Sequence, residues 1–502
     1  MKFPVYAARL MTALLFLLTL SPLWPAARAL ANPAFAEHRP QLYQRLFFAT
    51  MLGTGAVFFL ATRLLPALPY TAAAGGLATF FLLAQAHPAW GRRRGLPPGG
   101  LVLWQPDALV DETYFQRTAA RLGPVFKYRQ FRHPAIAVVE LPRGLDLLRQ
   151  HGGQLRYPTP RLHRLIPGGF LRALPPEAHR ALRGQLLRIF TPEVAEAHRD
   201  AMDAQVRAAV AALAAAGPVQ PHEVLHGLMF HVALRWFVGL DPSDPAAARW
   251  QALYTQLAGP RDAAAYRELD ALWRAREAAL AAAGASAPPC HLATWLKLRG
   301  AGPDDPAVRG HLLALLLVAW RDTGGLLDWI AYHLSGAPEW LDRVAAAADP
   351  AELADRLVSE CLRLSQSEYI ERRVTETFRH GGFLFPRGWG VRICIREAHR
   401  DPRAFSDPLR VDADRFRDGG PPPEQYTPLG AFNHACLGEY LARAVGGALI
   451  RALAAYQVER VADGPRVFGP FHHWTPSPAY RLRLLPREAS CPTATVPGVI
   501  GG

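Results

Sequence analysis

Cysteine is scarce, five residues in 502. The number is odd and too small for a disulfide-stapled scaffold, whose short secreted chains are far richer in it. Low-complexity sequence is missing too. Pro (45) and Gly (41) together make about a sixth of the chain, below the roughly 25–30% typical of unstructured sequence. Beyond about residue 101 there is no internal repeat, no linker and no block of like charge. What is present is 50% hydrophobic and 20% charged, the balance of a globular protein with a large core. Lys and Arg outnumber Asp and Glu by 56 to 42, a formal charge of +14. The surplus is Arg scattered through Ala- and Pro-rich sequence, not gathered in one patch, so nucleic acid is not expected as a partner.

Hydrophobicity is concentrated at the front. Residues 13–20 are apolar, preceded by Lys2 and Arg9 and followed by Pro22, Pro25 and the small-residue stretch 26–31. That layout is signal-like, or a first membrane segment, over 1–31. Two uncharged runs, 46–61 and 70–86, approach the ~20 residues that cross hydrocarbon. Only 62–69 lie between them, so they read as a transmembrane helical hairpin over 46–88. Buried core helices are the alternative, but neither run is amphipathic. Residues 89–100 hold Arg92-Arg93-Arg94 and then Pro97-Pro98-Gly99-Gly100, a basic linker with a stiff break. Basic clusters at membrane ends face the cytoplasm, and the catalytic unit is expected there; cleavage of the first segment would reverse the orientation.

Residues 101–488 read as one domain and 489–502 as a flexible tail. Strands are expected over 123–128 and 135–139 around the Arg132-His133-Pro134 turn, and over 383–385 and 391–395. Helical patterns cover 193–216, 222–238, 312–333, 352–364 and 437–456. The fold class is therefore mainly α with small β-sheets (α+β), preceded by N-terminal hydrophobic helices.

The most informative stretch is Pro428-Leu429-Gly430-Ala431-Phe432-Asn433-His434-Ala435-Cys436-Leu437-Gly438. A glycine-containing loop delivers one cysteine to the first turn of a helix, where unpaired N–H groups and the positive helix end favour a thiolate. A buried structural cysteine is the plainer alternative. Glu360 and Arg363, at i and i+3, share one helix face. His179 and Arg183, at i and i+4, do the same. Asp322 and Thr323 stand mid-helix, where both are mediocre helix formers.

The cysteine loop resembles the haem-binding signature of the cytochrome P-450 superfamily, roughly F-G-x-G-x-[RH]-x-C-x-G, with Gly430, His434, Cys436 and Gly438 on its positions. Three further signatures follow the family's order. Glu360-Cys361-Leu362-Arg363 matches E-x-x-R, Arg415-Phe416 the segment whose arginine joins that pair, and Ala319-Trp320-Arg321-Asp322-Thr323 the A-G-x-[DE]-T of a long central helix. The resemblance covers roughly residues 97–485 and implies the cytochrome P-450 fold. It also implies haem b (iron protoporphyrin IX) and a monooxygenase using O2 and reducing equivalents from a redox partner, a ferredoxin or flavoprotein reductase. Only 66 residues follow Cys436, too few for a built-in flavin or iron–sulfur module. The substrate implied is a small apolar molecule, lipid, terpenoid or polyketide-like, reached beside a membrane.

By that resemblance Cys436 is the axial ligand of haem iron. His434, His179 and Arg183 hold propionates, with Arg372 or Arg373 adding a further contact. Glu360, Arg363 and Arg415 are structural. Asp322 and Thr323 deliver protons. Three departures bear on substrate and oxygen: Trp320 stands where glycine is usual and is expected to narrow the distal side; Phe432 replaces a loop glycine; and Ser365-Gln366-Ser367-Glu368 replaces a Pro-Pro bend, making Trp320, Ser367 and Glu368 substrate-side candidates. Two alternatives follow. One is a peroxide-dependent or O2-independent haem-thiolate enzyme (peroxygenase, isomerase or dehydratase). The other is a non-catalytic haem- or lipid-binding membrane protein.

Overall fold

The computed structural model describes residues 94–101, 111–130, 133–158, 161–257, 262–300, 302, 304–365, 368–469 and 473–487. The expected membrane segments over 1–31 and 46–88, Ser367 and the tail over 489–502 lie outside the described residues. Among the described residues no helix is long and apolar enough to cross a membrane.

The first section runs α1 (Tyr114–Leu122), β1 (Val125–Gln130), β2 (His133–Val138), α2 (Leu141–His151) and β3 (Leu155–Arg156). A long helical section follows. Its elements are α3 (Pro176–Ile189), α4 (Pro192–Ala197), α5 (Arg199–Ala215), α6 (His222–Val238), α7 (Ala246–Leu257), α8 (Asp262–Ala283) and α9 (His291–Arg299). Next come α10 (Pro306–Val318), a π-helical turn (Ala319–Thr323), α11 (Gly324–Ser335), α12 (Glu339–Ala346) and α13 (Pro350–Leu364). The chain then forms β4 (Tyr369–Val374), β5 (Phe378–His380), β6 (Phe383–Phe385), β7 (Gly390–Cys394) and α14 (Ile395–His399). It closes with α15 (Glu439–Leu453), β8 (Tyr456–Ala462), β9 (Val467–Phe468), β10 (Trp474–Thr475) and β11 (Arg481–Pro486).

One sheet takes the order β1-β2-β7-β4-β3, with β2 and β7 parallel and the other pairs antiparallel. Helix α2 packs on it through Ile136, Val138, Leu145, Leu148 and Ile393, all buried. That approach depends on Gly144, where a Cβ would stand 2.4 Å from Ile393 Cγ2. The larger core is helical and gathers α3 to α13 with α15. Its two key helices are started by matching caps. Asp305 Oδ1 accepts from the N–H groups of Ala307 (3.0 Å) and Val308 (3.2 Å), and Asp349 Oδ1 from those of Ala351 and Glu352 (both 3.0 Å). Each is followed by proline at the first helical position, where a missing N–H costs nothing.

Three expected helices are corrected. The segment over 193–216 is broken at His198 (φ −114°, ψ 9°), whose Nε2 is held 2.6 Å from the Pro289 carbonyl. The last helix ends at Leu453, not at 456. Val458, Leu482 and Leu484 alternate inward there, and β8 pairs with β11. The central helix begins at Pro306, six residues before the expected start, and is interrupted by the π turn over the segment that holds Asp322 and Thr323.

Candidate functional site

The cysteine loop is closed by its own backbone. The Cys436 N–H donates to the Leu429 carbonyl at 2.7 Å. Gly430 has φ +81°, and a Cβ there would lie 2.7 Å from the His434 carbonyl oxygen, so only glycine fits. Phe432 adopts φ +54°, a strained value for a bulky residue. Its ring is 51% exposed, with the Arg149 guanidinium 5.8 Å from its centroid. Gly438 ends the loop, and a Cβ added there would meet nothing within 4 Å.

Cys436 stands three residues before α15 begins and is exposed. The surrounding atoms still desolvate the thiol and push it up. The Gly438 N–H and the Arg172 guanidinium pull it down, while the Asp322 and Glu439 carboxylates oppose them. Burial thus opposes the preference for thiolate that the Gly438 N–H and Arg172 supply.

Against the loop lies a cleft of ≈ 580 Å³, lined among others by Tyr157, Arg172, His179, Arg372, Phe432 and His434. Helix α3 brings His179, whose ring centroid is 4.3 Å from that of His434. Arg183, one turn on, acts electrostatically on both His179 and Cys436. Strand alternation decides between the two arginines of β4: Arg372 is buried and faces the cleft, while Arg373 is exposed on the opposite face. The guanidinium groups of Arg172 and Arg372 each lie 5.5 Å from the Tyr157 ring centroid. Crowding of like charge has a clear signature. His434 is pushed down to about 3 by burial and then by Arg372, His179, Arg172 and Arg183. Arg372 falls to about 10, chiefly through burial. Among the described residues, none of Arg172, His179, Arg183, Arg372 and His434 makes an ion pair with a carboxylate. Five basic side chains with no carboxylate ion pair, next to a cysteine and an open glycine, fit the dianionic propionate edge of a haem. Arg172 and Tyr157 were not expected. They arrive between β3 and α3, Tyr157 on irregular backbone and Arg172 in the short 3-10 turn Leu171–Ala173, where no periodicity marks them.

Behind the loop, Glu360 and Arg363 are fully buried and paired through Nε–Oε2 (2.6 Å) and Nη2–Oε1 (2.7 Å). Glu360 Oε1 also accepts from the Asp412 N–H at 3.0 Å, and Arg415 Nε stands 3.6 Å from it. Burial pushes the Glu360 carboxyl up, and Arg363, Asp412 and Arg415 oppose that. Arg363 Nη1 donates in turn to the carbonyls of His399 (2.7 Å) and Pro408 (2.8 Å).

The π turn places its residues on different sides. Thr323 is buried and Asp322 half-buried, and the Asp322 carboxylate acts on both Arg172 and Cys436. Trp320 points away from them. Its Nε1 donates to the His226 carbonyl at 2.8 Å, and its ring meets Phe230 edge-on at 5.0 Å. Two residues of a helix are roughly half a turn apart, so an indole packed on α6 does not narrow the side that Asp322 faces. The expectations that Trp320 constricts the distal side and lines the substrate are both corrected. So is the placement of Glu368. It is buried; Oε1 accepts from the Trp474 N–H and lies 4.0 Å from Arg396, and its carbonyl accepts from Ile395 (3.0 Å) and Arg396 (3.1 Å). That set of partners anchors β10 and α14, not a substrate.

Residues 350–474 match the family model described as Cytochrome P450. Similar curated proteins include abscisic acid 8'-hydroxylase 2 of Oryza sativa subsp. indica, 27% identical over 207 residues, 37% of this chain and 40% of that protein. Abscisic acid 8'-hydroxylase 3 of the same plant is 29% identical over 194 residues, 34% of this chain and 39% of that one. The chain thus matches about two fifths of the length of these relatives. Among solved structures, the retinoic acid bound cyanobacterial CYP120A1 aligns with TM-score 0.66 and 23% identity, over 78% of this chain and 100% of its own. A zebra fish cytochrome P450 structure with abiraterone gives 0.61 and 19%, over 75% and 99%. At those identities the likeness is one of fold.

Proposed function

The chain belongs to the cytochrome P450 superfamily, and from that premise we propose that it is a haem-thiolate monooxygenase of small molecules. The overall step is R–H + O2 + 2e⁻ + 2H⁺ → R–OH + H2O, with the electrons drawn from a separate ferredoxin or flavoprotein reductase. One observation carries the reading: Arg172, His179, Arg183, Arg372 and His434 gather without a carboxylate ion pair among the described residues, and two of them, Arg172 and Arg183, act electrostatically on Cys436.

Bound at this site, haem b supplies dioxygen reduction and oxygen-atom transfer. The chain's part is to hold, orient and protonate. Cys436 would ligate the iron as thiolate, giving up the proton that burial favours. The Gly438 N–H and Arg172 then stabilise the anion. Arg172, Arg372, Arg183, His179 and His434 would hold the propionates, and charge-assisted bonds of this kind are about twice as strong as neutral ones. The buried Thr323 hydroxyl and the Asp322 carboxylate pass protons inward from water, from a π turn of the kind often found at functional sites. Glu360, Arg363 and Arg415 fix the loop's foundation without touching substrate.

The substrate class is a small apolar molecule. The relatives named for abscisic acid and the neighbour named for retinoic acid support that class. The runs over 46–61 and 70–86 serve as a membrane anchor, with the catalytic unit facing the cytoplasm beside its redox partner. Peroxide-dependent and O2-independent readings drew on a Trp320 that blocks oxygen. An indole committed to His226 and Phe230 removes that ground.

The test is the spectrum of purified full-length protein supplied with haem. A reduced, CO-bound thiolate spectrum that disappears in Cys436→Ser is the expected result. No haem uptake, or an unaltered spectrum in that variant, overturns the proposal.

A further inference from the structure

The face of the central helix turned toward α6 carries a second constellation. Trp320, Gly324 and Asp328 recur every fourth residue and so form one stripe along it. Asp328 is buried, and α6 presents His222 and His226, one turn apart, to it. His222 Nδ1 lies 2.7 Å and His226 Nε2 3.1 Å from Asp328 Oδ2, and the two imidazole centroids are 4.1 Å apart. One ligand atom from each residue falls within 4.8 Å of the other two.

A hydrogen-bonded triad would account for Asp328 Oδ2, His222 Nδ1 and His226 Nε2, but not for the second carboxylate oxygen or the second His226 nitrogen. Asp328 Oδ1 and His226 Nδ1 are both buried with no hydrogen-bond partner, although buried polar atoms are rarely left so without a water or an ion. His226 has little room to turn, because a Cβ on Gly324 would stand 2.8 Å from its ring.

We propose that His222, His226 and Asp328 form a binding site for a divalent metal of the zinc class, separate from the haem site. Two imidazoles and one carboxylate suit zinc and its transition-metal neighbours, whereas calcium and magnesium take oxygen ligands. Tetrahedral zinc with bonds of about 2.0–2.1 Å sets its ligand atoms roughly 3.3 Å apart. The observed 2.7 and 3.1 Å need only small outward shifts. Such a shift is open to His222, whose side chain is 44% exposed at the first position of α6 and gives the metal its approach route. Three protein ligands leave the fourth position to water. The site's formal charge is −1 with neutral imidazoles, and the other charges acting on His222, Arg321 and Glu223, are of opposite sign. The metal would tie α6 to α11 one turn beyond Thr323, pinning the central helix just past its π turn.

The test uses full-length, haem-loaded protein equilibrated with ZnCl2 and then gel-filtered. Elemental analysis is expected to find one zinc per chain beside the haem iron, together with a raised thermal midpoint. His222→Ala and Asp328→Asn should each weaken zinc binding by at least about a hundredfold and abolish the midpoint shift, since loss of an outer-shell partner alone costs ten- to a hundredfold. MgCl2 should do neither. His222 is half-exposed, so its variant tests the proposal even if Asp328→Asn fails to fold; an intact haem spectrum confirms the fold. Zinc retained at wild-type stoichiometry in His222→Ala, or no zinc retained by the wild type, overturns the proposal and leaves the haem reading untouched.

Discussion

His399 offers the sharpest test of how the cysteine loop is held. Its ring is fully buried, and its Nε2 accepts the Thr427 N–H at 3.0 Å, immediately before the loop begins. Burial, with Arg363 and Arg400 close by, pushes the imidazole down to about 3. Unfolded histidine titrates near 6.5, so between those values the unfolded chain binds the proton and the folded chain does not. Stability is therefore complete above pH ~6.5 and is lost as pH falls toward 3. The loss from this one group at pH 5.5, relative to pH 7.5, is about 1.4 kcal/mol, and any folded-state value below about 4.5 gives nearly the same figure. His399→Gln places an amide oxygen close to Nε2, keeps the acceptor for Thr427 and removes the titration. Urea unfolding of both proteins at pH 7.5 and 5.5 gives the two slopes. The variant should lose about 1.4 kcal/mol less than the wild type over that interval. His291, also buried and pushed down to about 3, titrates in both proteins and cancels. Equal losses would refute the assignment of a neutral, load-carrying His399.

Glu360→Gln strands Arg363 in a fully buried setting and should cost about 3–5 kcal/mol, read as a lower urea midpoint with unchanged slope. Gly430→Ala forces a side chain into φ +81° against the His434 carbonyl; haem occupancy of the purified protein should fall even where the helical circular dichroism is unchanged. Arg372→Ala should release haem to apomyoglobin about ten- to a hundredfold faster, the equivalent of one charge-assisted bond. Arg373→Ala, on the other strand face, should leave that rate unchanged, and equal effects from both would remove Arg372 from the propionate site.

What the sequence disclosed depended on whether the relevant neighbours were local. Glu360 and Arg363 share a helix face at i,i+3, so their pairing is written in the spacing. The choice between Arg372 and Arg373 was open because a six-residue strand with polar residues on both faces gives no inward direction; pairing with β7 supplies one. Arg172 and Tyr157 were illegible for another reason. They lie 264 and 279 residues before Cys436, in a three-residue 3-10 turn and on irregular backbone, and only the packed fold brings them to the cleft against its loop. Trp320 was misread through its neighbours: its position in the motif suggested the oxygen side, whereas the side of the helix it occupies is set by the π turn and by the cavity α6 offers its indole. The break at His198 likewise depends on the distant Pro289 carbonyl.

These long-range links also explain why the E-x-x-R pair matters to a cysteine 73 residues away. Glu360 holds Arg363; Arg363 Nη1 holds the His399 carbonyl; the His399 ring holds the Thr427 N–H; and the Leu429 carbonyl holds the Cys436 N–H. Every link but the last is buried, so each keeps its geometry because water offers no substitute partner. A loop carrying a strained Phe432 and an irreplaceable Gly430 has little intrinsic preference for its own shape. Its shape is imposed from the helical core through this series of bonds. It follows that perturbing either end, by protonating His399 or by neutralising Glu360, should reach the sulfur before it melts the helices.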